Sequence, residues 1–270
     1  MTGQAIGVFD SGIGGLSVLK ALRAAMPHED FIYIADSGHA PYGERDAAHV
    51  LARSRAIARH LVDQRVKALV MACNTATAAA IALLRAEHPG LPLIGVEPAL
   101  KPAASLSKTG RIGVMATRST LASDKFKALL EMQGSSATFV LQPCDGLAHA
   151  IERSAETGET AETIALCTRY TQAMGQFGFE KGQIDTLVLG CTHYPFASEH
   201  LRALLGPEVQ LLDNGEAIAR QTRRLVLPAP VANDQTEGRV QLLTTGQPSA
   251  LQAAAGRWLG LPAGGGVLTV

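Results

Sequence analysis

Two segments of the chain share one pattern, and this pattern decides the predicted fold. The segment Lys67–Thr75 reads KALVMACNT, and Asp185–His193, 118 residues later, reads DTLVLGCTH. In each segment an apolar run of strand length ends at a cysteine, and small residues with hydroxyl or amide groups follow. Such continuous apolar runs are typical of parallel strands that are buried on both faces. We therefore expect two buried strands that carry Cys73 and Cys191 to the start of a turn.

Other apolar runs repeat in the same order around these two strands. The matching pairs are Ile6–Ser11 with Ile112–Thr117, Phe31–Ala35 with Thr138–Leu141, and Leu93–Glu97 with Val209–Asp213. Stretches with helical periodicity, such as Ala47–Arg65, separate the runs. This alternation predicts an α/β fold with mainly parallel sheets. The repeat predicts two similar α/β domains related by pseudo-two-fold symmetry, with an active site in the cleft between them.

The composition excludes several classes of protein. The chain has 270 residues, of which 47% are apolar and 18% charged, as in globular rather than disordered proteins. Its formal net charge of zero predicts no bulk attraction to nucleic acid or to anionic lipid. No apolar stretch reaches the roughly 18 residues of a membrane span, and the first residues do not resemble a secretory signal. We therefore expect a cytoplasmic protein without a nucleic-acid or membrane partner.

The four cysteines, Cys73, Cys144, Cys167 and Cys191, are widely and irregularly spaced. None belongs to a Cys-x-x-Cys pair and no close pair of histidines accompanies them, so no metal site is predicted. Reduced thiols are the expected state in a cytosolic chain of this length. Cys144 and Cys167 are interpreted as small buried hydrophobic residues.

Clusters of polar residues follow several of the predicted strands. They are Asp10–Ser11, Asp36–Gly43, Cys73–Thr75 and Cys191–His193. Ligands of open α/β sheets bind beyond the carboxyl ends of the strands. We therefore expect the four clusters to converge on one site, and His193 to be functional because it shares a strand end with Cys191.

The glycine-rich turn Asp10–Leu16 superficially suggests nucleotide binding. Its spacing fails the dinucleotide fingerprint, because Ser17 stands where the third glycine is needed, and no phosphate-binding Gly-Lys-Ser/Thr is present. This argues against a Rossmann oxidoreductase. Two interpretations of the turn stay open: free backbone N–H groups that hold a small anion, or a helix start capped by Asp10 or Ser11.

Two equivalent thiols that face one site suit chemistry on both faces of a single carbon. The thiolate is the reactive form, and a helix N-terminus or a nearby charge lowers the ordinary thiol pKa of about 8.5. One thiolate would remove a proton from carbon while the opposite thiol donates another, which yields the mirror image of the substrate. The planar intermediate would need donors to its carboxylate. Candidates are backbone N–H groups and the side chains of Ser11, Asn74, Thr75 and Thr192.

The chain resembles the glutamate racemases of the cofactor-independent aspartate/glutamate racemase family. The motifs that carry the resemblance are Gly7–Leu16, Ala35–Ser37, Pro41–Gly43, Ala72–Thr75, Gly95–Pro98, Leu189–Pro195, Leu212–Ala217 and Thr244–Gly246. They extend over essentially the whole chain. One departure is Asn214, which replaces a more usual Ser.

The resemblance implies roles for individual residues. Cys73 and Cys191 are the paired acid and base, and Asp10 and His193 assist their respective thiols or the substrate ammonium. Glu152 falls where the family places another supporting carboxylate, although its surroundings are variable. The residues that match the substrate-binding motifs are Asp10, Ser11, Pro41, Tyr42, Gly43, Asn74, Thr75, Thr192 and His193.

The resemblance also implies an organisation and a biological role. Residues 1–97 and 208–270 form a first, discontinuous domain, and residues 98–207 form the second. The substrate is glutamate, no pyridoxal phosphate, other cofactor or metal is used, and the product D-glutamate supplies bacterial peptidoglycan synthesis in the cytoplasm. Homodimers are frequent in the family. Two alternatives stay open: racemisation of aspartate or another acidic amino acid, and non-catalytic amino-acid binding, which would not need a cysteine at both equivalent positions.

Overall fold

The computed structural model describes residues 4–134, 137–227, 236–262 and 266–268. Strands and helices alternate through these ranges. The strands are β1 Ile6–Asp10, β2 Phe31–Ala35, β3 Ala68–Met71, β4 Leu93–Gly95, β5 Arg111–Ala116, β6 Thr138–Pro143, β7 Thr186–Leu189, β8 Gln210–Leu212, β9 Val240–Thr244 and β10 Gly266–Val267. The helices are α1 Leu16–Ala25, α2 Ala47–Asp63, α3 Asn74–Glu87, α4 Leu100–Leu106, α5 Arg118–Ala122, α6 Asp124–Glu131, α7 Leu147–Thr157, α8 Ala161–Met174, α9 Ser198–Leu205, α10 Gly215–Val226 and α11 Pro248–Leu259. Short 3-10 helices lie at Ser37–His39, Tyr42–Glu44 and Tyr194–Ala197.

The strands form two parallel sheets. The first has the order β10-β9-β2-β1-β3-β4, and the second has the order β6-β5-β7-β8. The order β2-β1-β3-β4 in the first sheet therefore recurs in the second, with each strand replaced by its predicted repeat partner. This confirms the predicted α/β fold with two similar parallel sheets.

The central strands of the two sheets are equivalent residue by residue. Gly7 of β1 lies between Ile32 and Leu69, and Gly113 of β5 lies between Val140 and Leu187. Both glycines make room for the layer above: a Cβ on Gly113 would lie 2.6 Å from Met174 Cε. The shared Ile-Gly-Val sequence thus reflects the same close packing on two central strands.

Both faces of each sheet are covered by apolar side chains. In β1, Val8 packs into the core cluster shared with α1, and Phe9 packs into the cluster shared with α2. In the second sheet, Leu187 and Val188 of β7 likewise point into different clusters. This explains why the strand sequences are continuously apolar rather than alternating.

Helix α2 shows how local sequence sets the limits of an element. The Asp46 carboxylate accepts a hydrogen bond from the N–H of His49 at 2.7 Å, which caps the first turn. The predicted segment extended to Arg65, but the helix ends at Asp63, and Arg65 has a left-handed φ of 57°. None of the helices in the described ranges is both long and apolar enough to span a bilayer.

The C-terminal part of the chain returns to the first sheet. Strand β9 pairs with β2, and α10 packs against α1. Strand β8 follows the predicted boundary at residues 207/208 but pairs with β7 in the second sheet. The exact division into residues 1–97 with 208–270 and 98–207 stays a prediction, and its extreme ends, residues 1–3 and 269–270, lie outside the described residues.

Candidate active site

A cavity of about 260 Å³ lies between the two sheets, beyond the carboxyl ends of their central strands. Drug-sized ligands occupy pockets of roughly 300–1,000 Å³, so this cavity suits a smaller molecule. Every residue that the sequence predicted to act in catalysis or substrate binding lines it. These residues are Asp10, Ser11, Pro41, Tyr42, Gly43, Cys73, Asn74, Thr75, Glu152, Cys191, Thr192 and His193.

Cys73 lies at the N-terminus of α3, immediately after β3. Its sulfur accepts a hydrogen bond from the N–H of Ala76 at 3.4 Å and donates to Ser11 Oγ at 3.7 Å. The side chain is almost completely buried. Burial, followed by the negative charge of Asp10, raises the pKa of the Cys73 thiol far above its ordinary value. Burial and this charge thus outweigh the lowering of the thiol pKa that is expected at the start of a helix.

Asp10, the last residue of β1, is the buried carboxylate beside Cys73. Its oxygens accept hydrogen bonds from the N–H groups of Ser11 at 2.7 Å and Gly15 at 2.6 Å. Burial raises the pKa of Asp10, and this rise is partly offset by the charge of His193 and by these hydrogen bonds. Asp10 thus supplies a carboxyl group with raised proton affinity next to one thiol.

Cys191 has a different neighbour. Its sulfur lies 3.6 Å from Nδ1 of His193, and Nε2 of the same ring lies 2.8 Å from Oε1 of Glu152. Burial lowers the pKa of His193, but the contacts with Cys191 and Glu152 outweigh burial and raise the pKa well above its ordinary value. Burial alone would raise the pKa of Glu152. The hydrogen bond to His193 and the positive charge of that ring outweigh burial, so the pKa of Glu152 lies below its ordinary value. Both directions favour a protonated His193 ring paired with an ionised Glu152 in the half-site of Cys191.

The glycine-rich turn of the first sheet accommodates this pair from the second sheet. A Cβ on Gly12 would lie 2.1 Å from Glu152 Oε1, and a Cβ on Gly14 would lie 2.2 Å from His193 Nδ1. The N–H of Ile13 donates to Glu152 Oε1 at 3.1 Å. The glycines are thus required because side chains there would occupy the positions of Glu152 and His193.

The hydrogen bonds of this turn bear on the two interpretations that the sequence left open. The N–H groups of Ser11, Ile13 and Gly15 are not free for an external anion, because they donate to the protein's own carboxylates. The alternative is closer to the structure: the Asp10 carboxylate binds the N–H of Gly15, the residue that precedes α1.

Hydroxyl groups join the two sheets on the other side of the cavity. Thr75 Oγ1 lies 3.1 Å from Thr117 Oγ1, and Ser119 Oγ donates to the carbonyl oxygen of Gly43 at 2.5 Å. The loops that carry the two half-sites therefore contact each other directly.

Asn74 has unused hydrogen-bonding capacity. Its side-chain oxygen and nitrogen are both buried, and neither has a partner among the residues that the structure describes. A buried polar group without a partner costs about 1–3 kcal/mol. Its position beside Cys73 makes it a candidate for contact with a ligand.

The cavity also contains residues that sequence reasoning did not select. Among them are Thr117, Cys144, Asp145 and His149. Thr117 is the repeat counterpart of Ser11, and Cys144 follows β6 as Asp36 follows β2, so the internal repeat would have identified both. Cys144 is buried as expected, but it also lines the cavity, and burial followed by the charge of Cys191 raises its pKa. Cys167, by contrast, is fully buried on the core-facing side of α8, as predicted.

No group of three or more His, Cys, Asp or Glu side chains in the described part of the chain is arranged to hold a metal ion.

Comparisons with known proteins agree with this geometry. The family model of Asp/Glu/hydantoin racemases matches residues 14–222. The glutamate racemase of Ectopseudomonas mendocina is 44% identical over 94% of this chain and 94% of its own length. That of Pseudomonas aeruginosa (strain PAO1) is 47% identical over 82% of this chain and 81% of its own.

Solved structures give the same result. A glutamate racemase isoform from Bacillus anthracis has a TM-score of 0.86 and 30% identity, and the match covers 100% of this chain and 99% of that one. The Escherichia coli glutamate racemase, in complex with L-glutamate and the activator UDP-MurNAc-ala, has a TM-score of 0.86 and 29% identity over 99% of both chains.

Proposed function

The chain belongs to the Asp/Glu/hydantoin racemase family, and we propose that it is a glutamate racemase that interconverts L-glutamate and D-glutamate. One observation carries the mechanism: two thiols, from equivalent strand ends of two similar sheets, line one small cavity. The names of relatives that are 44% and 47% identical support glutamate as the substrate.

In this mechanism the α-carbon lies between Cys73 and Cys191. In one direction the Cys191 thiolate removes the α-proton, and the Cys73 thiol donates its proton to the opposite face. The product has the inverted configuration, and the enzyme is left with a Cys73 thiolate and a Cys191 thiol. The reverse direction uses the same two steps with the roles exchanged.

The neighbours of each thiol have separate roles in this mechanism. The His193 imidazolium stabilises negative charge on the Cys191 sulfur, and Glu152 holds the ring and its positive charge. Asp10 carries out proton exchange or binds the substrate ammonium on the Cys73 side, which its raised pKa and its position next to Cys73 support. Each thiol therefore has its own assisting group.

The substrate carboxylates need hydrogen-bond donors that are fixed before the reaction. The unpaired amide of Asn74 and the hydroxyl groups of Ser11, Thr75 and Thr192 line the cavity beside the thiols. We propose that these groups, together with the backbone of the Pro41–Gly43 segment, bind the substrate.

We further propose that the reaction needs neither pyridoxal phosphate nor a metal ion, since two thiols supply both proton transfers. The D-glutamate formed serves peptidoglycan synthesis, and hence cell-wall formation, in the bacterial cytoplasm. We also propose a homodimer as the working form.

The test is racemisation by purified, cofactor-free protein in D₂O, followed by optical rotation and by NMR of the α-position. We expect L-glutamate to give D-glutamate that carries solvent deuterium at the α-carbon. L-Aspartate, which is one methylene shorter, should react at least about tenfold more slowly. Activity only after addition of pyridoxal phosphate would contradict the mechanism. A preference for aspartate would identify the alternative substrate, and binding without turnover would identify an amino-acid-binding protein.

A further inference from the structure

Asp36 is a completely buried carboxylate just outside the proposed reaction centre. It directly follows β2 and accepts hydrogen bonds from Arg53 Nε at 3.0 Å and Arg53 Nη2 at 2.9 Å. Thr245 Oγ1 donates to it at 2.8 Å, and the Tyr42 hydroxyl is a further donor. Burial of a carboxylate is strongly unfavourable unless it is paired and hydrogen-bonded. The Asp36 carboxylate therefore needs these donors, and its bonds fix their side chains in turn.

The bond to Asp36 determines how Tyr42 faces the cavity. Burial, followed by the charge of Asp36, raises the pKa of Tyr42 well above its ordinary value, so the phenol is a neutral donor. Its hydroxyl is engaged with Asp36 and is not offered to a substrate. Tyr42 therefore presents its ring and backbone to the cavity, together with Pro41 and Gly43.

The Thr244–Gly246 motif packs against the loop that runs from Asp36 to Gly43. Thr245 Oγ1 accepts a hydrogen bond from the N–H of Gly38 at 3.1 Å while its own hydrogen goes to Asp36. The packing is too close for side chains: a Cβ on Gly38 would lie 2.5 Å from the Thr245 carbonyl oxygen, and one on Gly246 would lie 2.9 Å from Ser37 Cβ. The residues that follow β9 thus pack closely against the start of this loop and restrict its movement.

The opposite side of the loop contacts the second sheet. A Cβ on Gly43 would lie 3.0 Å from Thr117, and Ser119 donates to the Gly43 carbonyl oxygen. The Pro41–Gly43 segment is therefore held between the Asp36 cluster on one side and the cavity wall of the second sheet on the other.

We propose that Asp36, Arg53 and Thr245 are positioning residues that fix the Pro41–Gly43 segment for substrate binding. This inference rests on the proposed glutamate racemisation. A segment fixed in its binding geometry loses little conformational entropy when the substrate binds, so its loosening weakens binding before it slows proton transfer. Asp36, Arg53 and Thr245 do not line the cavity, so they act through the loop.

The experiment compares two arginines of the same helix. Arg53→Gln removes the fork from Asp36, and Arg53→Lys keeps the charge but not the paired hydrogen bonds. Arg55→Gln is the control, because Arg55 pairs with Glu87 at the surface, away from the cavity. KM and kcat for L-glutamate are measured for each variant, together with its thermal unfolding temperature.

We expect Arg53→Gln to raise KM about tenfold and to change kcat less than about threefold. The reason is that the loop binds the substrate equally well in the ground state and in the transition state, so its loosening affects KM rather than kcat. Arg53→Lys should give an intermediate KM, and Arg55→Gln should match the wild type. An unchanged KM for Arg53→Gln, or a fall in kcat that only follows the folded fraction, would overturn the proposal. If Arg53→Gln does not fold, Thr245→Val decides in the same way: a raised KM supports the proposal, and a wild-type KM overturns it.

Failure of the proposed function has a different result. In that case the wild type and Arg55→Gln would both fail to racemise glutamate.

Discussion

The two half-sites hold the same group, a buried thiol at a strand end, in opposite electrostatic surroundings. Cys73 lies next to the buried carboxyl group of Asp10, and its pKa is raised by burial and by that charge. Cys191 lies 3.6 Å from a His193 ring that is itself held by Glu152. The internal repeat explains why both thiols line one cavity. In the proposed mechanism, the difference between their neighbours lets one thiol act as the base while the other acts as the acid.

Removal of either thiol should have the largest effect on racemisation. Because a serine hydroxyl is a much weaker acid than a thiol, Cys73→Ser and Cys191→Ser should each lower kcat for racemisation by at least about 10³-fold. Cys167→Ser is the matched control, since Cys167 of α8 is buried in the core and does not line the cavity, and it should retain nearly full activity. Polarimetry with each glutamate enantiomer measures the effect. Substantial activity in either catalytic-site variant would mean that one thiol suffices.

The Cys191 half-site also depends on two glycines of the other sheet. In Gly14→Ala the new methyl group would lie 2.2 Å from His193 Nδ1, so the buried ring must move away from Cys191. We expect a loss of about 10²-fold in kcat, since displacements of about 1 Å have effects of this size. Gly12→Ala should cost less, because the group it meets, Glu152 Oε1, is the end of a flexible side chain.

Gly90→Ala is the control for both glycine variants, because a Cβ at Gly90 would meet nothing within 4 Å. Circular dichroism would establish that all three variants fold. Full activity in Gly14→Ala would show that catalysis does not require the observed position of the His193 ring.

The smallest expected effect is a shift in pH dependence. Glu152→Gln removes the negative charge that helps to raise the pKa of His193. The imidazolium should then lose its proton at lower pH, so the alkaline limb of the pH profile of kcat should move down by about one unit. Glu156→Gln, an exposed position of the same helix, should leave the profile unchanged. An unmoved alkaline limb in Glu152→Gln would show that the carboxylate does not set the charge of His193.

The same shift has a consequence for stability. The pKa of His193 is raised on folding, so the stabilisation from its ion pair is fully present below its ordinary pKa of about 6.5. It is lost as the pH rises through the raised value. The difference in unfolding free energy between wild type and Glu152→Gln should therefore shrink at alkaline pH, which urea titrations at several pH values would measure.

Much of the fold and of the site was predictable from the sequence, because the information is local. Continuous apolar runs gave the parallel strands, and the repeated order of these runs gave the shared strand order of the two sheets. The polar residues after each strand necessarily meet at one edge. The predicted site residues that follow the strands consequently line a single cavity, although their catalytic roles stay predictions. Glu152 of α7 lines the same cavity, but only the family resemblance selected it.

The remaining features depend on contacts between distant residues. The glycines at 12 and 14 are explained only by Glu152 and His193, which belong to the other sheet. The burial of the Asp36 carboxylate is explained only by its hydrogen bonds with Arg53 and Thr245, which are distant in sequence. Local sequence contains no sign of such partners, so it left the turn open between anion binding and a capped helix start. It identified Asp36 only as part of a polar cluster that follows a strand.

The most direct test of the division between the half-sites is the primary deuterium isotope effect on kcat/KM. It is measured with α-deuterated L-glutamate and α-deuterated D-glutamate in His193→Asn and in Asp10→Asn. A weakened assisting group slows proton abstraction by its own thiol, so the isotope effect should grow for the enantiomer which that thiol deprotonates. We predict that His193→Asn increases the effect for one enantiomer and Asp10→Asn increases it for the other. An increase for the same enantiomer in both variants, or equal effects for both enantiomers, would contradict separate roles for Cys73 and Cys191.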